Sequence, residues 1–358
     1  MSGPAAMRSS KSSATRVALA LGSGGARGYA HIGVIQTLRE RGYEIVGIAG
    51  SSMGAVVGGV QAAGRLDELA DWATSLTQRT ILRLLDPSIT AAGVLRAEKI
   101  LDAVRDIVGP VAIEQLPIPY TAVATDLVAG KSVWFQRGPL DEGIRASIAI
   151  PGVIAPHEVG GRLLADGGIL DPLPMAPIAG VSADLTIAVS LNGGDAGTTR
   201  DDEPGVTVEW LNRMVRSTSA LFDANTARSL LDRPTARAVL NRLGAATPDL
   251  EAWSEAADAE RGPVSRDESS DADVAPEIPK MGSFEVMNRT IDIAQSALAR
   301  HTLAAYPADL LIEVPRSTCR SLEFHRAVEV IAVGRALATQ ALDALEVDDQ
   351  PTAPAIEG

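Results

Sequence analysis

The chain has 358 residues, of which 46% are hydrophobic and 3% aromatic, with 33 glycines, one cysteine and a formal net charge of −13. This composition supports a substantial core of Ala, Val, Leu and Ile and excludes a disordered chain. The acidic field speaks against nucleic-acid binding, and the single Cys319 rules out an intrachain disulfide or a cysteine metal site.

Residues 1–14 are small and polar and read as a disordered tail. Val17–Leu21 is an apolar run that predicts a buried strand. It is too short for a signal-peptide core, and no apolar run reaches the roughly 18 residues that span a bilayer. A cytoplasmic protein, at most peripheral to a membrane, is expected. Tyr29–Arg41 sets Ile32, Ile35 and Leu38 on one helical face and stops at Gly42. Ile45–Ala49 predicts the next strand, and Met53–Ala63 a small-residue helix. Residues 65–108 read as helical, broken around Asp86-Pro87 and Gly93. Tyr120–Thr125 and Ser132–Phe135 predict a strand pair turning at Ala129-Gly130, and Val153–Leu164 a hairpin turning at Gly160-Gly161. Leu185–Leu191 is another buried strand.

The composition then changes. A helix is expected over 207–232, and residues 245–282 are acidic and Pro-rich, with nine acids and two arginines between Glu251 and Pro279. Residues 192–282 therefore read as a helical and acidic low-complexity insertion. It separates the first part of a core, 15–191, from its C-terminal part, 283–345, and residues 346–358 form a tail. The C-terminal part should hold a helix at Phe284–Ala304, a strand at Leu310–Val314 and a helix at Phe324–Leu342. Gly-rich turns between Val/Ile strands and helices indicate an α/β fold.

Gly50-Ser51-Ser52-Met53-Gly54 is a G-x-S-x-G sequence between a predicted strand and a predicted helix. In that context the turn pushes the serine hydroxyl out of the fold, and the helix N-terminus offers free amides and positive potential to a developing anion. Ser52 is the expected nucleophile, with the Met53 amide facing the same anion.

Gly22-Ser23-Gly24-Gly25-Ala26-Arg27-Gly28 joins the first strand to the first helix. Such a loop cradles either a phosphate or an oxyanion. Its order is not that of a dinucleotide site, and no acid stands near the end of the second strand where one is wanted. There is no P-loop signature. An oxyanion site beside Ser52 fits better, with Gly24 and Gly25 as donors. Arg27 either adds positive potential or anchors the loop.

Ser52 needs a proton acceptor. Of the four histidines, His31, His301 and His325 fall in predicted helices or at their starts, and His157, in the hairpin, is the one serious candidate. Asp166-Gly167-Gly168 closes an apolar strand. A partly buried carboxylate there could act as a general base; an Asx-type turn explains the same residues equally well. Asp126 and Asp171 read as turn formers.

Together, the glycine loop, the Ser52 turn and Asp166-Gly167-Gly168 resemble, in order and spacing, the patatin-like phospholipase family. Ala146–Pro156 shares in the likeness, which covers about Val17–Leu191 and, more weakly, Leu310–Val314. The resemblance implies a three-layer α/β/α fold with a mostly parallel central sheet. It also implies a Ser52–Asp166 dyad without histidine, an oxyanion site at the Gly24–Gly25 backbone with Arg27, and hydrolysis of lipid acyl esters. No metal or cofactor is needed, and peripheral membrane contact would suit the substrate. Ser23 departs from the glycine common at that loop position. The apolar Ile81–Leu85 and the 207–232 helix could form a lipid entry or lid. Transacylation, thioester hydrolysis with the same dyad, or an idle lipid- or protein-binding module are the other functions such a chain could have.

Overall fold

A computed structural model of the chain describes residues 14–84, 98–194 and 283–348. Apart from residues 283–285, the architecture below belongs to the unit made by Met1–Glu209 with Val286–Gly358. The expected helix over 207–232, the acidic stretch 245–282, the breaks at Asp86-Pro87 and Gly93, and nearly all of both tails lie outside the described residues.

Eight strands form one mixed sheet: β1 (Arg16–Leu21), β2 (Glu44–Ser51), β3 (Tyr120–Asp126), β4 (Lys131–Phe135), β5 (His157–Val159), β6 (Arg162–Asp166), β7 (Leu185–Gly193) and β8 (Leu310–Pro315). The order is β5-β6-β3-β2-β1-β7-β8, with β4 also on β3. From β3 through β2, β1 and β7 to β8 the pairing is parallel; β4, β6 and β5 pair antiparallel. The described helices are α1 (Ala30–Glu40), α2 (Met53–Ala62), α3 (Leu66–Ser75), α4 (Gln78–Leu84), α5 (Glu98–Val108), α6 (Leu140–Ser147), α7 (Ser283–Ala305) and α8 (Ala327–Asp348).

Strand alternation sorts the core into two layers of contact. Ala18 and Ala20 of β1 pack with Ala49, Ala188 and the α7 residue Ala299 on one face of the sheet. On the other face Gly58 of α2 lies against Leu21, Ile48 and Tyr120, and Ala146 of α6 lies with Ala124 and Leu164. Helices thus cover both faces, giving the expected three-layer α/β/α arrangement, as a largely parallel, doubly buried sheet requires.

The site depends on how β3 is flanked. β4 occupies one edge of β3 along Ala122–Asp126. The opposite edge is divided: β2 pairs with Tyr120–Val123, and β6 takes over at Ala124–Asp126. Ser51 stands opposite Val123 and Asp166 opposite Ala124, so the end of β2 and the end of β6 meet at adjacent register positions. Cross-strand partners share a face, so Asp166 points, with Ala124, toward the side where α2 and α6 lie.

Two differences from the sequence expectation concern boundaries and one concerns an element. The β5–β6 hairpin starts at His157 rather than Val153, because Pro151–Val153 form a turn. The last helix starts after a short 3-10 turn at Phe324–Arg326 and continues to Asp348. The element not foreseen is α6. Its eight residues carry Gly143 at mid-length, a weak local signal, and burial of Leu140, Ile144, Ala146 and Ser147 supplies what propensity does not.

Candidate active site

Ser52 lies between β2 and α2 with φ 56° and ψ −122°, and is the only non-glycine residue with positive φ among the described residues. Such a backbone costs on the order of 1–3 kcal/mol. Its neighbours make the turn feasible. A Cβ at Gly50 would strike the Gly54 carbonyl group and the Ala55 nitrogen, and one at Gly54 would strike the Leu21 and Gly22 carbonyls. The conformation is pinned by Ser147 of α6: the Ser52 amide donates to Ser147 Oγ at 2.9 Å, and that hydroxyl donates to the Val123 carbonyl at 2.6 Å. The Tyr120 hydroxyl donates to the Ala55 carbonyl at 2.6 Å, fixing the first turn of α2 to β3.

Asp166 receives the Ser52 hydroxyl directly. Ser52 Oγ donates to Asp166 Oδ2 at 2.5 Å, and the Gly168 amide donates to Oδ1 at 2.7 Å. The aspartate backbone is fixed on both sides, its N–H donating to the Ala149 carbonyl at 3.0 Å and its carbonyl accepting from Thr125 Oγ1 at 3.0 Å. Burial pushes the carboxyl up to about 6, against the lowering pull of the Ser52 hydroxyl and the Gly168 amide. It is therefore ionised at neutral pH yet far more basic than an exposed aspartate.

The other candidates are elsewhere. Asp126 Oδ1 accepts from the Val128 and Ala129 amides, each at 2.9 Å, in the β3–β4 turn. The Ala129 bond is the main reason its carboxyl lies below its ordinary value. Asp171 is partly buried, and burial pushes its carboxyl up to about 6; it does not bond Ser52. His157 stands on β5 opposite Leu164, while His301 and His325 are exposed. His31 is wholly buried in α1, and its Nε2 lies 2.9 Å from the Gly22 carbonyl. Since a carbonyl only accepts, Nε2 carries the proton. Burial lowers this imidazole to about 4, so it stays neutral and titrates below the physiological range.

The glycine loop is tied down at each end. The Gly22 amide donates to Val189 at 3.0 Å, Ser23 to Pro172 at 2.8 Å and Ala26 to Ser321 at 2.8 Å, each through a backbone carbonyl. Gly24 and Gly25 lie between these fixed points, and Gly25 has φ 57° with the Ser321 carbonyl packed close against its Cα. Arg27 is buried, and its Nη2 donates to Asp292 of α7 at 3.3 Å. The guanidinium thus anchors the loop to α7 while remaining a buried positive charge beside it.

Two cavities meet at Ser52. One is walled by apolar side chains including Val56, Leu69, Trp72, Ile81, Val104 and Phe324. The other contains Asp166 together with Ser23, Asp292, Gln295 and Ser321. Ile81, at the start of the apolar stretch Ile81–Leu85, therefore lines the apolar cavity. Gly25 and Ile150 border both. Among the described residues no group of three His, Cys, Asp or Glu side chains is placed to hold a metal ion, and no helix is long and apolar enough to cross a membrane.

Sequence reasoning brought out Ser52, Asp166, Gly24, Gly25, Arg27 and Met53, and the structure gathers them in one region. It did not foresee Ser147, although the run Ala146–Pro156 contains it. The part His31 plays in holding Gly22, and the presence of Asp292 and Gln295, also went unforeseen. A helix residue reaching back to a loop leaves no local pattern in the sequence.

Residues 19–179 match the family model described as patatin-like phospholipase. Uncharacterized NTE family proteins of Mycobacterium tuberculosis and Mycobacterium bovis are 81% identical over an alignment of 363 residues that covers all of both chains. The neuropathy target esterase sws of Drosophila melanogaster is 30% identical over 186 residues, covering 50% of this chain and 13% of the fly protein. A crystal structure of VipD from Legionella pneumophila aligns at TM-score 0.40 and 16% identity, over 93% of this chain and 67% of that one, a likeness too weak to build on.

Proposed function

The chain belongs to the patatin-like phospholipase family, and we propose that it is a serine acyl-hydrolase cleaving lipid esters through a Ser52–Asp166 dyad. The observation that carries this reading is the 2.5 Å hydrogen bond from a strained, buried serine to a carboxylate with a pKa of about 6. Asp166 takes the Ser52 proton as Oγ attacks the ester carbonyl carbon. The oxyanion is held by the amides of Gly24, Gly25 and Met53. Met53 begins α2, where amides have no intrahelical acceptor and the helix dipole is positive. Arg27 adds positive potential and, through Asp292, keeps the loop in register. Collapse expels the alcohol, which takes the proton from Asp166 and leaves Ser52 acylated. Water then attacks the acyl-enzyme, giving its proton to Asp166, and the proton returns to Ser52 as the fatty acid leaves.

The apolar cavity suits the acyl chain, since burying each methylene contributes about 0.8 kcal/mol. The substrate would be a lipid or other acyl ester, met at a membrane surface. Residues 15–191 and 283–345 would form the catalytic core, with 192–282 as an insertion.

The test is turnover of a p-nitrophenyl acyl ester by the purified protein. Ser52→Ala should lower kcat by about a million-fold, the scale at which removal of a nucleophilic serine acts. Turnover by Ser52→Ala at the wild-type rate would contradict the reading.

A further inference from the structure

Strand β2 ends at Ser51, beside Ser52, but its neighbour β3 does not stop there. Val123 stands opposite Ser51, and β3 runs on in the same direction to Asp126 before turning into β4, roughly 10 Å farther at the rise of a strand. β6 lies alongside, and the Leu127 amide donates to the Leu163 carbonyl at 2.9 Å. Two turns therefore project side by side beyond the serine: Leu127-Val128-Ala129-Gly130-Lys131 and Val159-Gly160-Gly161-Arg162-Leu163.

Both turns are fixed by their own backbone. Asp126 Oδ1 holds the Val128 and Ala129 amides, and the Gly130 amide donates to the Asp126 carbonyl at 2.9 Å. Gly160 and Gly161 have φ of 57° and 73°, as a two-residue hairpin loop requires. Yet their apolar side chains stand in the open: Val128 is 82% exposed, Leu127 44% and Leu163 41%. Turn geometry asks for Gly, Asn, Asp or Ser at such places and never for Leu or Val.

The charge there runs against that of the chain. With a formal net charge of −13 overall, residues 127–131 and 159–163 hold no acid and two cations, Lys131 and Arg162, both exposed. Of the adjoining acids, Asp126 is 6% exposed and engaged by the turn amides, and Glu158 is exposed on β5 opposite Leu163. Aliphatic side chains flanked by Lys and Arg match an anionic lipid surface, whose hydrocarbon takes the first and whose phosphates take the second. Repulsion from the distant acids is screened beyond about 8 Å at physiological salt. β3 is paired on both edges at this height, by β4 and by β6, so it offers no edge to an added peptide strand.

Resting on the acyl-hydrolase reading, we infer that these two turns are a membrane-docking surface. Leu127, Val128 and Leu163 enter the acyl region of an anionic bilayer, with Lys131 and Arg162 at its phosphates. Docking there brings the Ser52 end of the sheet to the lipid.

The experiment is flotation of the full chain, carrying Ser52→Ala so that no lipid is consumed, with vesicles of phosphatidylcholine alone or with 30 mol% phosphatidylglycerol, about one anionic lipid in three. Partitioning should be about tenfold stronger on the anionic vesicles. Adding Leu127→Ser with Val128→Ser should weaken it about tenfold on both. Adding Lys131→Gln with Arg162→Gln should weaken it about tenfold on the anionic vesicles alone. With Ser52 intact, both double variants should turn over the soluble ester p-nitrophenyl butyrate at the unsubstituted rate, which shows that they fold. No flotation on either vesicle, or double variants that float like their parent, would overturn the inference, and turnover of the soluble ester would leave the hydrolase standing. Flotation as described by a chain inactive on that ester would overturn the hydrolase and support the docking surface.

Discussion

The turn at Gly50–Gly54 and the loop at Gly22–Gly28 both bring backbone to Ser52, but they are stabilised in opposite ways. The Ser52 turn carries cost: a positive φ at a serine, and beside it a buried carboxylate with its pKa raised to about 6. The glycine loop is held by its neighbours: its amides reach Val189, Pro172 and Ser321, its first carbonyl is held by neutral His31, and Arg27 is paired with Asp292. Strain is concentrated at the serine proposed to react, and the loop proposed to hold the developing charge is tied to its neighbours. This is the division expected of a preorganised site.

The contrast predicts opposite signs on mutation. Asp166 has a folded pKa above its ordinary value of 3.8. Its contribution to stability is therefore fully present below pH 3.8 and lost as pH rises through about 6. Asp166→Asn should then gain on the order of 3 kcal/mol over wild type at pH 8 and nothing at pH 3.5, in denaturant melts. An unchanged difference across that range would remove the electrostatic cost from the Ser52 side.

Ser147→Ala removes the acceptor for the Ser52 amide, a buried bond of about 1–3 kcal/mol. Because it sets the serine backbone, kcat should fall by about ten- to a hundredfold with KM little changed. On the loop side, His31→Leu leaves the Gly22 carbonyl without its donor. Stability should fall by about 1–2 kcal/mol and kcat by about fivefold. If His31→Leu cost more activity than Ser147→Ala, the assignment of strain to one side and support to the other would be reversed.

How much of this was legible in the sequence follows the same division. β1, α1, β2 and α2 were readable because each turn between them has local chemistry: glycines, a serine, an abrupt change of hydrophobic period. The resemblance then gave Asp166 its place beside Ser52, which residue type alone left balanced against an ordinary Asp-Gly turn. The physical reason for that place, the divided edge of β3, is a long-range pairing that no local window contains. Ser147, Asp292 and Gln295 were invisible for the same reason. They act from α6 and α7, distant in sequence, and α6 was missed altogether because its burial outweighs the glycine inside it.

The most direct test of the central claim is the pH dependence of the rate at which a fluorophosphonate labels Ser52, measured by intact mass for wild type, Asp166→Asn and His157→Gln. Wild-type labelling should rise with pH to a plateau with an apparent pKa near 6. His157→Gln should keep that limb, and Asp166→Asn should label about a thousandfold more slowly. A limb that disappears in His157→Gln, with Asp166→Asn labelling at the wild-type rate, would contradict the account.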